Sequence, residues 1–325
     1  IDARNNGPTD QKWFKSLTPG WQRRRMENFA VLVSGGAQDE DLVSDGWTDL
    51  LRKVPRIATK AQREAFTAEE IAQKMELADF RQMNHIRQRI DEIVQDKKTA
   101  DALKPWFRQM CKRPTFNDDY LPTFNRPNVH LVDTLGRGVD RITEKGLIFD
   151  GIEYEVDCII FGTGFEVGTS FSRRLGFEVY GRDGKPLGEH FKEGTRTLHG
   201  FSSHGFPNYF NIGLRQTGFR ANFVDMLTGQ MEHLQHLLSY AQQNGIKRIE
   251  PTAQGEAAWV TSFNEKIGVA DEFLSQCTPG YYNAEGNVKS RSGLFGEVYG
   301  GGPMEFSQIL QDWRTKGDFE GLELR

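Results

Sequence analysis

The most constraining stretch of the sequence is DCIIFGTGFEVG at residues 157–168, where an apolar run ends in a Gly-Thr-Gly turn. A continuous apolar run is typical of a strand buried on both faces. Neither Gly162 nor Gly164 has a Cβ atom, so the backbone can approach a ligand closely here. A phosphate-binding turn also needs a helix whose N-terminus points at the anion, but the residues after Gly168 predict a hairpin. Taken alone, the stretch predicts only a turn at the end of a strand.

Local patterns predict hairpins, strands and helices around this stretch. GLIFDGIEYEVD predicts a hairpin that turns at Asp150-Gly151 and leads into a buried strand at 158–161. FEVYGRDGKPL predicts a second hairpin with its turn at Asp183-Gly184, and further strands are predicted at 129–132 and 206–213. A first helix is predicted to begin at Pro19 behind a Thr18 cap. Further helices are predicted over 40–52, 68–96, 222–244, 253–267 and 300–313, and the one at 68–96 follows a Thr67–Glu70 capping box.

Composition excludes several classes of function. Of the 325 residues, 37% are hydrophobic and 26% are charged, and the net charge is −4, so neither a nucleic acid nor a membrane surface is a predicted partner. Cys111, Cys158 and Cys277 have no metal-type spacing, and we expect no disulfide framework and a cytoplasmic location. His233 and His236 lie on one predicted helix without a third ligand, so we predict surface residues and no metal site.

The order of the motifs resembles that of flavin-containing monooxygenases, and within them the Baeyer–Villiger monooxygenases. DCIIFGTGF is similar to the family's D-x-x-x-x-A-T-G-F/Y signature, with Gly162 at the usual Ala. CKRPTFNDDYLPTFNRPNVHLVD resembles the return to the NADP domain, whereas PTDQKWFKSLTPGWQRRRMENF, DLVSDGWTDLL and ELADFRQMNHIRQRIDEIVQD resemble the helical insert. GFPNYFNIG, QTGFRANFVDMLTGQMEHL and FGEVYGGGPMEF resemble the returning FAD domain and the substrate side, so the resemblance covers essentially the whole chain.

This resemblance implies an α/β fold of the two-dinucleotide-binding-domain flavoprotein type. The chain would contain the Rossmann-like return halves of both domains, together with a helical insert domain. The implied division is 1–109 for the helical insert, 110–157 for the NADP-domain return with its hairpin, and 158–325 for the FAD-domain return and substrate side. The G-x-G-x-x-G loops that open such domains do not occur in the sequence. We therefore expect a C-terminal portion that requires a missing N-terminal half, binds FAD poorly alone and is inactive alone.

The resemblance also implies the chemistry at Lys112-Arg113-Pro114. The family uses FAD and NADPH to insert one oxygen atom of O2 beside a ketone carbonyl through a C4a-peroxyflavin. By resemblance Arg113 is the catalytic cation, and a guanidinium suits that role because it keeps its charge near neutral pH. Lys112 matches the position that meets the 2′-phosphate of NADPH, and Pro114 restricts the backbone of Arg113. Without the resemblance, Lys112 and Arg113 would be an ordinary surface pair.

Further site residues follow from the same resemblance. The helix that opens near Asn222 would direct its partial positive charge at the flavin pyrimidine ring. Phe219 and Tyr281 are candidate pocket walls, although such side chains are more often core residues. The implied cofactor contacts beyond Lys112 are Asp157, Gly162, Thr163, Gly164, Phe165, Asn222 and Phe223, and the implied substrate contacts are Thr217, Gly218, Phe219 and Tyr281.

Two other functions remain open at the level of sequence. The first is a flavin monooxygenase that oxidises nitrogen or sulfur, against which the long helical insert and Lys112-Arg113-Pro114 argue. The second is a truncated, non-catalytic binding or dimerisation module. The sequence names neither the ketone nor the oligomeric state.

Overall fold

The computed structural model describes residues 1–325 except 2, 4–6, 35, 37, 53–66, 165–166, 168–172, 174, 269 and 292. The chain divides into two compact units, each built from discontinuous segments. The first unit comprises Ile1–Asn6, Asp79–Gln109 and Pro114–Glu166. The second unit comprises Gly7–Ala78, Met110–Arg113 and Val167–Arg325.

The described residues form helices and short antiparallel strands. The helices are α1 Gln11–Ser16, α2 Trp21–Val33, α3 Gly46–Arg52, α4 Ala68–Ile93, α5 Lys97–Leu103, α6 Tyr120–Thr123, α7 Leu187–His190, α8 Phe223–Gln243, α9 Ala253–Lys266, α10 Asp271–Ser275 and α11 Gly302–Lys316. The strands are β1 Arg141–Ile142, β2 Gly146–Phe149, β3 Ile152–Glu155, β4 Ile249–Pro251 and β5 Leu322–Leu324. They form one sheet in the order β1-β2-β3 and a second sheet of β4 and β5. No helix among the described residues is both long and apolar enough to span a bilayer.

The first hairpin is confirmed, because its turn carries the residues that a tight turn needs. Asp150 and Gly151 both adopt positive φ, at 51° and 77°, which is the geometry of a type I′ turn. Leu147 then pairs with Tyr154 across the two strands. At the second predicted hairpin, around Asp183-Gly184, the turn forms but only a single bridge joins its arms.

The buried strand expected at 158–161 is wrong for this structure. The described residues of this stretch belong to no strand, and the side chains of Ile160 and Phe161 are 90% and 69% exposed. An apolar run becomes a strand only when a neighbouring strand takes its backbone hydrogen bonds, and no described segment does so here. The strand expected at 129–132 is wrong for the same reason.

The strand expected at 206–213 is also wrong. Asn208 adopts a positive φ of 56°, which breaks an extended backbone. The amide of Asn208 donates to the Ile249 carbonyl, and that of Asn211 donates to the Phe201 carbonyl. The backbone is therefore paired one residue at a time instead of along a ladder.

The start predicted for α4 matches its local sequence signals, whereas the starts predicted for α2 and α3 do not. The capping box before α4 is confirmed, since the Glu70 carboxylate accepts from the Thr67 amide at 2.7 Å and the Thr67 hydroxyl accepts from the Glu70 amide at 3.2 Å. The predicted start of α2 at Pro19 behind Thr18 is wrong, because Gly20 is left-handed with φ 84° and the helix begins at Trp21. The predicted helix over 40–52 is shorter than expected and starts at Gly46.

The core of the second unit lies between α8, α9 and α11. Its buried side chains are Leu198, Phe201, Leu234, Trp259, Phe263, Tyr299, Phe306 and Leu310. His233 belongs to this interior with 3% exposure, so its assignment as a surface residue is wrong, whereas His236 is exposed. The buried positions of α8 include 226, 230, 233, 237 and 241, and this helical period places residue 233 inside.

The expectation that the cysteines form no disulfide is wrong as well. Cys111 and Cys277 are bonded to each other across a sequence separation of 166 residues, while Cys158 is free and exposed. Spacing along the chain carries no information about such a distant pair, because their proximity depends on the fold.

Acid is expected to destabilise the protein through two buried histidines. Burial lowers the pKa of His199 to about 4, although Glu320 opposes this change. Burial, with help from His199 and Arg314, lowers the pKa of His233 to about 3. Both rings are therefore neutral in the folded state, whereas the unfolded chain binds protons below about pH 6.5. The free energy of unfolding should fall below pH 6.5 by up to about 1.4 kcal/mol per pH unit for each histidine.

Thermal unfolding between pH 7 and pH 4 measures this effect. His233→Phe removes one of the two groups and should flatten the pH profile. His236→Gln changes an exposed ring on the same helix and should leave the profile unchanged. Parallel profiles for the wild type and His233→Phe would contradict the assignment.

Gly218 lies where the loop before α8 contacts the start of α11. A Cβ atom built on Gly218 would be 2.8 Å from the Cα of Pro303 and 2.9 Å from the Cβ of Phe306. Because Pro303 Cα is backbone, relief requires a shift of the loop or of the helix. Gly218→Ala should therefore lower the free energy of unfolding by about 1–3 kcal/mol.

Gly229→Ala is the matched control for this substitution. A Cβ atom at Gly229, inside α8, meets nothing within 4 Å, so alanine should stabilise the helix by about 0.5–1 kcal/mol. Denaturant titration distinguishes the two signs. Equal effects of the two substitutions would show that the contact at Gly218 is not close.

Candidate active site

The basic motif predicted as catalytic is attached to the second unit by side chains. Met110–Arg113 groups with this unit. Cys111 is bonded to Cys277, and the Lys112 ammonium donates hydrogen bonds to the carbonyls of Thr278 and Pro279. Lys112 and Cys111 therefore contact the same loop, which begins at Cys277.

Asn283 organises this loop from within. Its side chain is 2% exposed. Its amide nitrogen donates to the carbonyls of Leu274 and Cys277 at 3.1 and 3.2 Å, and its oxygen accepts from the amides of Gly280 and Gly286 at 3.0 and 3.2 Å. One buried side chain thus satisfies four backbone groups, so the loop that receives Cys111 and Lys112 has a defined shape.

Arg113 lies against two aromatic side chains. Its guanidinium is 5.7 Å from the centre of the Trp47 ring, within range of a cation–π interaction. It also interacts with the hydroxyl of Tyr282. Burial raises the pKa of Tyr282 to about 12, Tyr281 adds to the rise, and Arg113 opposes it. Tyr282 is therefore a neutral phenol at physiological pH, and Arg113 forms no ion pair among the described residues.

A series of ring contacts connects this cation with two predicted pocket residues. Tyr281 and Tyr282 pack edge to face with ring centres 4.8 Å apart, and Tyr282 contacts Phe295 at 4.7 Å. Phe295 in turn contacts Phe219 at 5.1 Å. The structure therefore connects Arg113, Tyr281 and Phe219 through Tyr282 and Phe295, two residues that the sequence did not identify.

The loop that carries Phe219 is held by buried hydrogen bonds. The Gln216 amide donates to the Glu297 carbonyl at 2.7 Å, and its side chain donates to the Thr195 carbonyl at 2.6 Å. The Thr217 hydroxyl donates to the Gly213 carbonyl at 2.7 Å, and Thr217 is only 1% exposed. Thr217 and Gly218 thus fix the path of the backbone, whereas Phe219 is half-buried.

The N-terminus of α8 adjoins a surface hollow. The predicted start of this helix near Asn222 is confirmed, since the Asn222 side chain accepts from the Asp225 amide at 3.2 Å and caps α8. Phe223 is 47% exposed. Asn222 lines a hollow of about 420 Å³ together with Trp21 and Phe29 of α2. The helix dipole adds positive potential at this end.

A second cavity lies beside the same helix. It has a volume of about 370 Å³ and is lined by Arg23, Arg220, Asp225 and Arg314, among others. Arg220 donates to the Asp225 carboxylate at 2.6 Å and to the Ser307 hydroxyl at 2.7 Å. The charged side chains that line this cavity are thus largely compensated within the protein.

The remaining predicted cofactor residues lie in the first unit. Asp157, Gly162, Thr163 and Gly164 are exposed and belong to no helix or strand, and Gly164 has a φ of 88°. A Cβ atom at either glycine would meet nothing within 4 Å. Phe165 lies outside the described residues.

Sequence reasoning missed several residues of the site. Trp47, Tyr282, Asn283 and the Cys111–Cys277 pair have no local signature. Their positions depend on contacts between distant segments, and only the neighbouring Tyr281 pointed to Tyr282.

Comparisons with known proteins agree with the resemblance. No family model matches the chain. The chain is 46% identical over 327 residues to neopentalenolactone D synthase of Streptomyces avermitilis, covering 100% of this chain and 55% of that protein. It is 43% identical over 326 residues to Baeyer-Villiger monooxygenase 4 of Dietzia sp., covering 99% of this chain and 52% of that protein.

Solved structures give the same result. The polycyclic ketone monooxygenase from Thermothelomyces thermophila superimposes with a TM-score of 0.87 at 34% identity, covering 100% of this chain and 54% of that one. Cyclohexanone monooxygenase from Rhodococcus sp. Phi1 bound to NADP+ gives a TM-score of 0.63 at 27% identity, with coverages of 77% and 45%. The predicted flavoprotein fold class is confirmed by these neighbours. The chain spans about half the length of the curated relatives it matches, and relatives named Baeyer–Villiger monooxygenase match 99–100% of this chain at 40–43% identity.

Proposed function

We propose that this chain is the C-terminal portion of an FAD- and NADPH-dependent Baeyer–Villiger monooxygenase. The whole protein inserts one oxygen atom of O2 beside the carbonyl of a small-molecule ketone and gives an ester or lactone. The observation that carries the proposal is Arg113, a guanidinium without an ion-pair partner among the described residues. It lies 5.7 Å from the centre of the Trp47 ring and interacts electrostatically with Tyr282, the first of a series of aromatic rings in contact.

The chemistry of Arg113 fits this reaction. Oxygen insertion develops negative charge on oxygen, and a fixed cation placed in advance stabilises that charge. The guanidinium cannot lose its proton near neutral pH. Tyr282, as a neutral phenol, holds the guanidinium without neutralising it. Arg113 therefore offers its charge to the reacting atoms, and Phe219 and Tyr281 supply apolar walls for the ketone.

The described residues also fit the two cofactors. FAD supplies the activation of O2, and NADPH supplies the hydride. The N-terminus of α8, at Asn222 and Phe223, offers positive potential to the reduced flavin ring. Gly162 and Gly164 leave open space for close approach of a ligand, and Thr163 between them is exposed.

The proposal also gives roles to two charged residues and to the loop before α8. Lys112 offers its ammonium to the 2′-phosphate of NADPH, and Asp157 belongs to the cofactor contacts. Thr217 and Gly218 act on substrate through the shape of their loop, because both are buried. The division into 1–109, 110–157 and 158–325 stays a prediction. The cytoplasmic location also stays a prediction, and the Cys111–Cys277 disulfide argues against it, because disulfides are typical of oxidising compartments.

Arg113→Ala in the full-length protein tests the proposed reaction. Loss of one preorganised charge should lower the rate of ester formation by about 10²–10³-fold, while reduction of the flavin by NADPH continues. Arg126→Ala, at an exposed arginine, is the control. Product analysis by gas chromatography and stopped-flow absorbance of the flavin give the two readouts. Oxidation of amines or sulfides alone, or unchanged ester formation, would contradict the proposal.

The need for the missing N-terminal half is a separate prediction. The exposed apolar side chains of Ile160 and Phe161 support a further segment that covers them in the whole protein. The 325-residue chain alone should therefore retain no flavin after gel filtration, and it should show no NADPH oxidation. Absorbance at 450 nm measures the bound flavin. Stoichiometric FAD on this chain would overturn the prediction.

A further inference from the structure

Cys111 and Cys277 form a buried covalent link beside the residue proposed as catalytic. Their exposures are 1% and 7%, and they lie 166 residues apart in the chain. We propose, on the basis of the function proposed above, that this disulfide positions Arg113 for oxygen insertion. Cys111 and Cys277 would then be positioning residues, since they act through Arg113 and touch neither substrate nor cofactor.

The backbone around Arg113 cannot hold that residue by itself. Met110–Arg113 belongs to no helix or strand, and Lys112 and Arg113 form no backbone–backbone hydrogen bond with the described residues. Segments without such bonds open easily. The segment is instead attached through the disulfide, through the contact of Lys112 with two carbonyls, and through the contacts of Arg113 with Trp47 and Tyr282.

The disulfide is the strongest of these attachments because it is covalent and buried. The hydrogen bonds of Lys112 are partly exposed, and their acceptors are uncharged backbone carbonyls. The cation–π contact of Arg113 with Trp47 is weak because Arg113 is exposed to water. Lys112 is also the residue proposed to meet the 2′-phosphate of NADPH. When its ammonium turns to that phosphate, its contact with the carbonyls of Thr278 and Pro279 is lost, and the disulfide remains.

The receiving loop transmits the position of Cys277 to Tyr282. Asn283 connects the carbonyl of Cys277 to the amides of Gly280 and Gly286. Tyr282 precedes Asn283 in the same loop and interacts electrostatically with Arg113. A fixed Cys111 therefore places the neighbouring guanidinium against a fixed phenol. Small misplacements of a reacting group cost up to about 100-fold in rate.

The test uses the full-length protein with both cysteines replaced, as Cys111→Ser with Cys277→Ser and, as an apolar alternative, Cys111→Ala with Cys277→Ala. Cys158→Ser, at the free exposed cysteine, is the matched control. The double variants should lower kcat for the ketone by roughly 10- to 100-fold and release more hydrogen peroxide per NADPH, with little change in KM for the ketone. Cys158→Ser should match the wild type. Wild-type kcat and coupling in a folded double variant would overturn the proposal.

A double-mutant cycle distinguishes positioning from general stability. If the disulfide acts through Arg113, its removal should cost less in Arg113→Lys than in the wild type, because the geometry it protects is already lost. Equal losses in both backgrounds would show that the disulfide has a general structural role instead.

Hydrogen exchange tests the role of the disulfide independently of the proposed reaction. Amides of 277–286, several of which donate hydrogen bonds within the loop, should exchange faster in the double variants, whether or not a ketone is oxidised. If the wild type converts no ketone, the proposed function fails while faster exchange still supports the tether. Unchanged exchange, or free thiols at Cys111 and Cys277 in a non-reducing peptide map of the wild type, would overturn the tether itself.

Discussion

The second unit depends on buried carboxylates that take the hydrogen bonds of an irregular backbone. Between α7 and α8 the described residues form only an isolated bridge, at Leu198 and Ser202. Glu256 accepts from the amide of His204 at 2.9 Å and from the His190 ring, and Glu250 accepts from the amide of Gly205 at 2.8 Å. Burial favours the neutral form of Glu256, yet these hydrogen bonds hold its pKa below the ordinary value. Charged acceptors thus replace a sheet ladder in fixing this backbone.

This dependence explains which parts of the fold the sequence predicted. The β2–β3 hairpin, the capping box at Thr67 and α8 with its Asn222 cap rest on residues close together in the chain. The strands expected at 158–161 and 206–213 rest on partners elsewhere, and an apolar run does not say whether a partner is present. The buried state of His233 follows from the helical period of α8, which places residue 233 on the same face as the buried positions 226, 230 and 237.

The candidate site likewise contains residues that the sequence predicted and residues that only the structure shows. Arg113, Phe219 and Tyr281 came from motif resemblance, and the structure joins them through Tyr282 and Phe295. The disulfide and Asn283 could not be predicted, because each acts on a segment distant in sequence or on backbone atoms that any residue possesses. Resemblance identifies residues that carry chemistry, while the contacts that orient them appear only with the fold.

Residues proposed to carry chemistry lie here on segments without regular secondary structure. A helix or strand fixes a side chain through its backbone bonds, whereas Arg113 has no such support among the described residues. The orientation of the Arg113 guanidinium must therefore come from side chains. These are the disulfide at Cys111, the Tyr282 phenol and the Asn283 amide. Such a support leaves the guanidinium without a carboxylate partner among the residues that the structure describes, so none of them compensates its charge. An ion pair would have oriented Arg113 equally well, but it would have cancelled the field that makes this residue useful to a developing anion.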